Sequence, residues 1–345
     1  MVSSRLRRLL ACAALGSLAP LTAAATGLTV LAAPSGTGPV TVFYPTTAAA
    51  APVQRGPFSL QAAVDAAPAR GNGRLIVMSH GSGGSPWPQA DLAQALVAAG
   101  FTVAMPEHAG DNWHDSSAVG PASWKQRPHE VSQAIDAMAA DPRFAPLLDW
   151  QHVGVYGMSA GGLTALTLAG ARWSPALLAQ HCEAHIAEDF PTCVGLSAEL
   201  TGSMFDPLRL AIARQVIRFK LADDHTLQGW NEPRIAAAVA AVPMAVPVEM
   251  ASLTKPRVPL GLVRAAKDAW LAPRWHIDAV RATCTGCVML ADMSEGGHGS
   301  VLSPQPPKLP PRAARLLNDP PGFDRASLPT VYAAIARFFV ENLPP

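Results

Sequence analysis

Ser159 stands in Gly157-Met158-Ser159-Ala160-Gly161, a G-x-S-x-G pattern. A serine hydroxyl is a weak nucleophile until a base takes its proton, so chemistry here needs a histidine and an acid to orient it. Glycines two before and two after the serine suit a turn so tight that backbone atoms crowd its neighbours. Chance yields roughly a tenth of such a match in a chain of this length and average usage, so context has to decide. The pattern follows an apolar run, "HVGVYG" (152–157), and opens a helical one, "GLTALTLAGA" (162–171). A helix starting there aims its N-terminal dipole at the serine and favours developing negative charge.

In a strand–turn–helix setting of this kind the acid and then the histidine follow the serine, each just past a later strand. "VPLGLVRAAKD" places Asp268 beyond one strand end, and "CVMLADMSEGGHGS" places His298 in a glycine-rich loop beyond the next. The expected triad is Ser159, Asp268 and His298. His276 and Asp278 fall on a predicted helix before the last strand. Asp292 ends that strand, too close to His298 in the chain to be the expected partner, and is the fallback acid. A tetrahedral oxyanion needs backbone donors. The expected ones are the amide of Ala160 and that of Ser82, with Gly83 the alternative, the latter two in the loop "SHGSGGS" (79–85). A phosphate cradle is excluded there because no Lys and Ser/Thr follow in P-loop order. His80 is expected to be a structural hydrogen-bonding residue. "PEHAGDNWHDSS" (106–117) matches no metal-ligand spacing and is expected to be a polar loop on the rim of the site. No metal and no cofactor is expected.

The elements that must hold these residues are legible as alternating runs. "RLIVMSH" (74–80), "FTVAMPE" (101–107), "HVGVYG", "VPLGLVRA" (258–265) and "CVMLAD" (287–292) are strand-like. Helical patterns lie between them, over 88–100, 129–141, 162–171 and 273–282. Such alternation predicts a mostly parallel sheet with helices on both faces. "GLTVLAA" and "GPVTVFYP" predict an antiparallel hairpin, and a last helix over about 328–343 should dock through Val331, Ile335, Phe338 and Phe339. Residues after that hairpin, to about 70, are rich in Ala and Pro and carry little pattern. Residues 172–232 read as an irregular insertion over the sheet.

The 345 residues are 49% apolar and 15% charged, which excludes a disordered chain. Arg5, Arg7 and Arg8, the apolar "LLACAALGSLAPL" and small Ala23 and Ala25 read as a signal peptide over 1–25. That apolar run is too short, and too broken by Gly16 and Pro20, for a membrane span. Its removal takes three positive charges and moves the formal charge from +1 to −2. No basic stripe for nucleic acid remains. The mature domain, 26–345, is expected to be secreted or periplasmic. It keeps Cys182, Cys193, Cys284 and Cys287, an even number in an exported chain, which implies disulfides. Three connectivities are open, local pairing among them.

Together "LIVMSHGSGGS", "VAMPEHAGDN", "VGVYGMSAGGLTAL", "VRAAKDAWLAP" and "GGHGSVL" resemble the α/β-hydrolases of the predicted dienelactone hydrolase type, related to platelet-activating-factor acetylhydrolase. The similarity covers about residues 38–345. It implies an α/β-hydrolase fold and is weakest over 172–232, the insertion expected to form a cap or lid. One departure matters: dienelactone hydrolases carry a cysteine at the elbow, where this chain has Ser159. The serine favours carboxylic esters, with a small-molecule ester as the partner. A lipase or phospholipid acyl-hydrolase with 172–232 as lid is the nearest alternative, favoured by an apolar rim on that segment. A non-catalytic relative that binds a ligand is the alternative from another class.

Overall fold

The apolar runs form strands because their side chains find cover on both faces. The computed structural model describes residues 25–32, 37–305, 308–309 and 311–344, so the expected signal segment lies outside the described residues except Ala25. In chain order the strands are β1 (Ala25–Leu31), β2 (Val40–Thr46), β3 (Ala51–Arg55), β4 (Phe58–Val64), β5 (Leu75–Ser79), β6 (Thr102–Pro106), β7 (Val153–Met158), β8 (Arg172–Trp173), β9 (Ile235–Ala241), β10 (Val248–Glu249), β11 (Leu260–Ala265) and β12 (Val288–Met293). Ten of them make one sheet in the order β12-β11-β9-β7-β5-β6-β2-β1-β4-β3; β8 and β10 form a separate antiparallel pair. From β12 to β6 every neighbouring pair is parallel. β2 is antiparallel to both β6 and β1, as the expected hairpin requires.

The helices are α1 (Ala90–Ala98), α2 (Pro121–Ala140), α3 (Ala160–Leu168), α4 (Pro175–His185), α5 (Phe190–Val194), α6 (Asp206–Leu221), α7 (Ile277–Thr283), α8 (Pro311–Leu317) and α9 (Leu328–Asn342). Strand side chains alternate between two cores. Leu75 and Val77 of β5 face the one made with α2, α3 and α7. Ile76 and Met78 face the other, made with α1 and α9. Val331, Ile335, Phe338 and Phe339 of α9 are all buried there. Each such side chain contributes about 1.5–3 kcal/mol on burial.

Two expectations are corrected. The little-patterned stretch before residue 70 contains the hairpin β3–β4, in which Phe58, Leu60 and Ala62 point inward. Residues 172–232 are not irregular: α4, α5 and α6 dominate them. Pro175, Pro191 and Pro207 each stand in the first turn of one of these helices, where a missing N–H costs nothing. Cys182 and Cys193 join α4 to α5, and Cys284 and Cys287 close the turn before β12, so the local pairing is the one formed.

Register aligns the strand ends that matter. Ser79 lies opposite Gly157, and Met158 opposite Ala241. The carboxyl ends of β5, β7, β11 and β12 therefore open onto one edge of the sheet, where ligand sites of parallel α/β sheets form.

Candidate active site

Ser159 joins β7 to α3 with φ 59° and ψ −118°, a left-handed backbone that a non-glycine residue adopts only under strain. The flanking glycines are there for space. A Cβ on Gly157 would stand 1.8 Å from the Gly161 carbonyl oxygen, and one on Gly161 would stand 2.0 Å from the Ser79 carbonyl oxygen. Both obstacles are backbone and cannot swing away. Gly161→Ala is accordingly expected to cost more than about 4 kcal/mol, the range of severe backbone lesions. Loss of soluble yield, or a collapse of the thermal midpoint, checks it.

Ser159 Oγ lies 2.9 Å from His298 Nε2, and His298 Nδ1 lies 2.7 Å from Asp268 Oδ2. With the carboxylate accepting, Nδ1 carries the proton and Nε2 is left to accept from the serine hydroxyl. Asp268 Oδ1 accepts from the Trp270 and Leu271 amides, both at 2.9 Å, which fixes the carboxylate plane. The structure thus brings the three expected residues into one hydrogen-bonded chain. Asp292 and Asp278 are drawn off by Arg264, at 3.0 and 2.7 Å. His276 stands just before α7 and is engaged elsewhere: its Nδ1 accepts from the Ala245 amide at 2.9 Å, and its Nε2 meets the Thr192 hydroxyl of α5 at 3.1 Å.

The proline-rich tail has a place here that the sequence did not offer. The Gly297 amide donates to Ser300 Oγ, Ser300 Oγ donates to Asp319, and Arg325 grips Asp319 at 2.5 Å. A Cβ on Gly299 would stand 2.3 Å from the Leu317 carbonyl oxygen. Residues 317–325 therefore brace the turn that carries His298.

The loop after β5 comes up against the serine: a Cβ on Gly81 would stand 3.3 Å from that of Ser159. Of the two donor candidates in this loop, Gly83 is spent, since its amide donates to Asp111 Oδ1 at 2.8 Å. The Ser82 amide and the Ala160 amide, at the start of α3, have no protein acceptor among the described residues. Ser82 Oγ also donates to Asp111 Oδ1, at 2.6 Å.

Asp111 belongs to the stretch expected to be a polar rim loop; Trp113, His114, Ser116 and Ser117 are exposed as that expectation requires, but the part before them is not. His108, Asp111 and Asn112 are buried, as are Arg127, Glu130 and Ser123 of α2. Arg127 donates to Asp111 Oδ2 at 2.9 Å, to Ser123 Oγ at 2.8 Å and to the His80 carbonyl oxygen at 2.5 Å. The Arg127 guanidinium and the hydrogen bonds from Ser82, Ser123 and Gly83 overcome burial and hold the Asp111 carboxyl at about 2. His80 acts structurally, as expected: its Nδ1 donates to the Gly81 carbonyl and its Nε2 accepts from the His108 amide. His108 in turn bridges Ser79, at 2.7 Å, and Glu130, at 2.5 Å. The loop after β5 is thus clamped from beneath. Among the described residues no cluster could hold a metal ion.

Burial pushes His80 and His108 well below the usual imidazole range, and His276 down to about 4. Unfolded, each titrates near 6.5. Between the folded and unfolded values the unfolded chain binds more protons, so stability falls as the pH drops below about 6.5. His276 alone is expected to cost about 3 kcal/mol between pH 7 and pH 4. Denaturant midpoints across that window check it; a flat profile contradicts the neutral, buried assignment.

This sheet order, with the serine turn after β7 and the acid and histidine after β11 and β12, is the α/β-hydrolase fold. The solved ferulic acid esterase from Streptomyces cinnamoneus is similar, with a TM-score of 0.59, 18% identity, and 94% of this chain and 92% of that one covered. No protein-family model matches the chain, and no curated protein does.

Proposed function

We propose that the chain is an exported serine hydrolase of carboxylic esters, in the manner of the dienelactone hydrolase and platelet-activating-factor acetylhydrolase type. The observation that carries the reading is the Ser159–His298–Asp268 chain at 2.9 and 2.7 Å, built on a serine with positive φ. Ser159 Oγ attacks the ester carbonyl while its proton passes to His298 Nε2. Asp268 stabilises the imidazolium without taking its proton. The amides of Ala160 and Ser82 hold the oxyanion, each contributing about 3–4 kcal/mol to the barrier reduction. The C–O bond to the alcohol breaks as His298 returns the proton to it. Water, deprotonated by the same imidazole, then releases the acid and restores Ser159. Apart from the water consumed, each step uses side chains and amides of the chain.

The similar esterase shows that ester hydrolysis occurs on this fold. The two disulfides fit an oxidising compartment. Among the described residues no helix is long and apolar enough to cross a membrane. Residues 172–232 act as a cap, tied to the acid loop by Thr192, whose hydroxyl lies 3.0 Å from the Trp270 carbonyl oxygen. A fluorophosphonate probe at neutral pH, followed by peptide mapping, tests the reading. Labelling is expected at Ser159. A folded protein that stays unlabelled would instead be a ligand-binding relative. A series of nitrophenyl esters of rising acyl length then reports the substrate range.

A further inference from the structure

Asp268 has a neighbour beyond His298 that the chemistry above leaves unused. Its Oδ2 faces His298, while its Oδ1 accepts from the Trp270 and Leu271 amides. The Leu271 N–H and the Trp270 carbonyl belong to one peptide unit. That unit is planar and trans, so the two groups point in opposite directions. One end of it meets the acid. The other end meets the cap, where the Thr192 hydroxyl of α5 lies 3.0 Å from the Trp270 carbonyl oxygen. A single rigid plane therefore joins Thr192 to Asp268, and it cannot tilt without disturbing both ends.

Thr192 is itself held from several sides. It is 5% exposed, and its hydroxyl stands 2.9 Å from Asp189 Oδ1 and 3.1 Å from His276 Nε2. His276 Nδ1 accepts from the Ala245 amide, and burial lowers the ring to about 4, so it is neutral at pH 7. The one ring proton is then on Nε2 and is donated to Thr192 Oγ. Thr192 has a single proton for Asp189 Oδ1 and the Trp270 carbonyl, a three-centre arrangement common at helix termini. Asp189 is fixed in turn by His181 of α4, whose Nε2 lies 2.8 Å from Oδ2, and the Cys182–Cys193 disulfide joins the same two helices. Two further contacts tie the acid loop to the cap. Arg274 pairs with Glu188 at 3.0 Å, and Trp275 packs on His185 with ring centroids 4.2 Å apart. The ion pair is exposed on both sides, where such pairs contribute little. Neither contact touches the peptide plane that meets the acid.

We propose that Thr192 is a positioning residue for the catalytic acid, acting through the Trp270–Leu271 peptide, with His276 and Asp189 holding its hydroxyl. The cap then supplies part of the catalytic frame as well as a cover. Without the hydroxyl the peptide is free to turn, Oδ1 loses the hold of the Leu271 amide, and Oδ2 swings from His298 Nδ1. A misplacement of about 1 Å at a reacting centre costs about 10²-fold in rate. The loss falls on kcat rather than KM, because the imidazolium that Asp268 stabilises forms only as the serine attacks. The effect on turnover rests on the ester reading; the link from Thr192 to His298 does not.

The test compares Thr192→Val, which keeps the branched shape without the hydroxyl, with Thr192→Ser, which keeps the hydroxyl. Both are made in the full, disulfide-intact protein. Active sites are counted by complete fluorophosphonate labelling, so that kcat refers to folded molecules alone. The proton resonance of His298 Nδ1–H, assigned by its loss in His298→Ala, is followed in parallel. Thr192→Val is expected to lower kcat about tenfold to a hundredfold, with KM unchanged and the resonance shifted. Thr192→Ser should recover most of the rate and the wild-type resonance. If Thr192→Val does not fold, Thr192→Ala removes the same hydroxyl with space to spare and is read the same way. A variant with wild-type kcat per site and an unmoved resonance, destabilised only in its thermal midpoint, overturns the proposal. So does a serine variant as slow as the valine one. Absence of ester hydrolysis in wild type counts against the ester reading alone, and the resonance still decides the link.

Discussion

Replacing Ser159 by alanine is expected to lower ester hydrolysis by on the order of 10⁴–10⁶-fold with the fold intact. The hydroxyl makes one side-chain hydrogen bond, to His298. Its removal therefore takes the attacking atom and little else, and the turn keeps its glycine spacing. His298→Ala should cost a similar factor. The double substitution should cost no more than either single one, because the two groups act as a unit. Asp268→Asn, which leaves shape but reverses the hydrogen-bond sense at His298 Nδ1, should lose about 10⁴-fold. Steady-state kcat/KM, with thermal midpoints as the control for folding, reads all four. Activity that survives Ser159→Ala within tenfold would remove the nucleophile assignment.

The second large effect lies beneath the loop of Ser82. Asp111→Ala leaves the Arg127 guanidinium buried without its counter-charge, a lesion worth about 3–5 kcal/mol. It also releases the Gly83 amide and the Ser82 hydroxyl, both of which Asp111 Oδ1 now holds. Stability and catalysis should therefore fall together in the single variant and separate in the pair. Asp111→Leu/Arg127→Met replaces a buried ion pair by apolar volume, a change that is often neutral for stability. The expected result is recovery of much of the thermal midpoint while kcat stays depressed, since the loop is still unclamped. Restoration of kcat in the pair would show that the ion pair does no more than hold the fold.

The sequence reading picked out the three hydrogen-bonded residues because each marks itself locally. Ser159 is fenced by glycines, and Asp268 and His298 follow the ends of continuous apolar strands. It could not reach the clamp. Arg127 and Glu130 sit on α2, whose first turns are disguised by the internal Pro128, and a buried charge looks in sequence like any exposed one. Asp111 and His108 looked like a polar surface loop for the same reason. The helices of 172–232 escaped because apolar periodicity reveals a helix only when one face is polar. In α6 the inner and outer faces are both apolar, and the period is blurred. Helix-start prolines at 175, 191 and 207 were the signal available there. The brace of His298 by Asp319 and Arg325 depends on contacts across a proline-rich turn that carries no period at all.

The hydrogen bond between Ser159 and His298 joins positions 139 residues apart, and its brace reaches Arg325. A chain emerging amino end first completes β5, β6 and β7 long before it has residue 298. Closure over so long a contour is slow relative to local helix formation. Until residues 298–325 have arrived and packed, Ser159 sits on its strained turn without His298 beside it. A nascent or carboxyl-clipped molecule would then have much of its sheet and none of its turnover. On the ester-hydrolase reading, turnover would act as a clock for folding, starting only when residues 298–325 have packed.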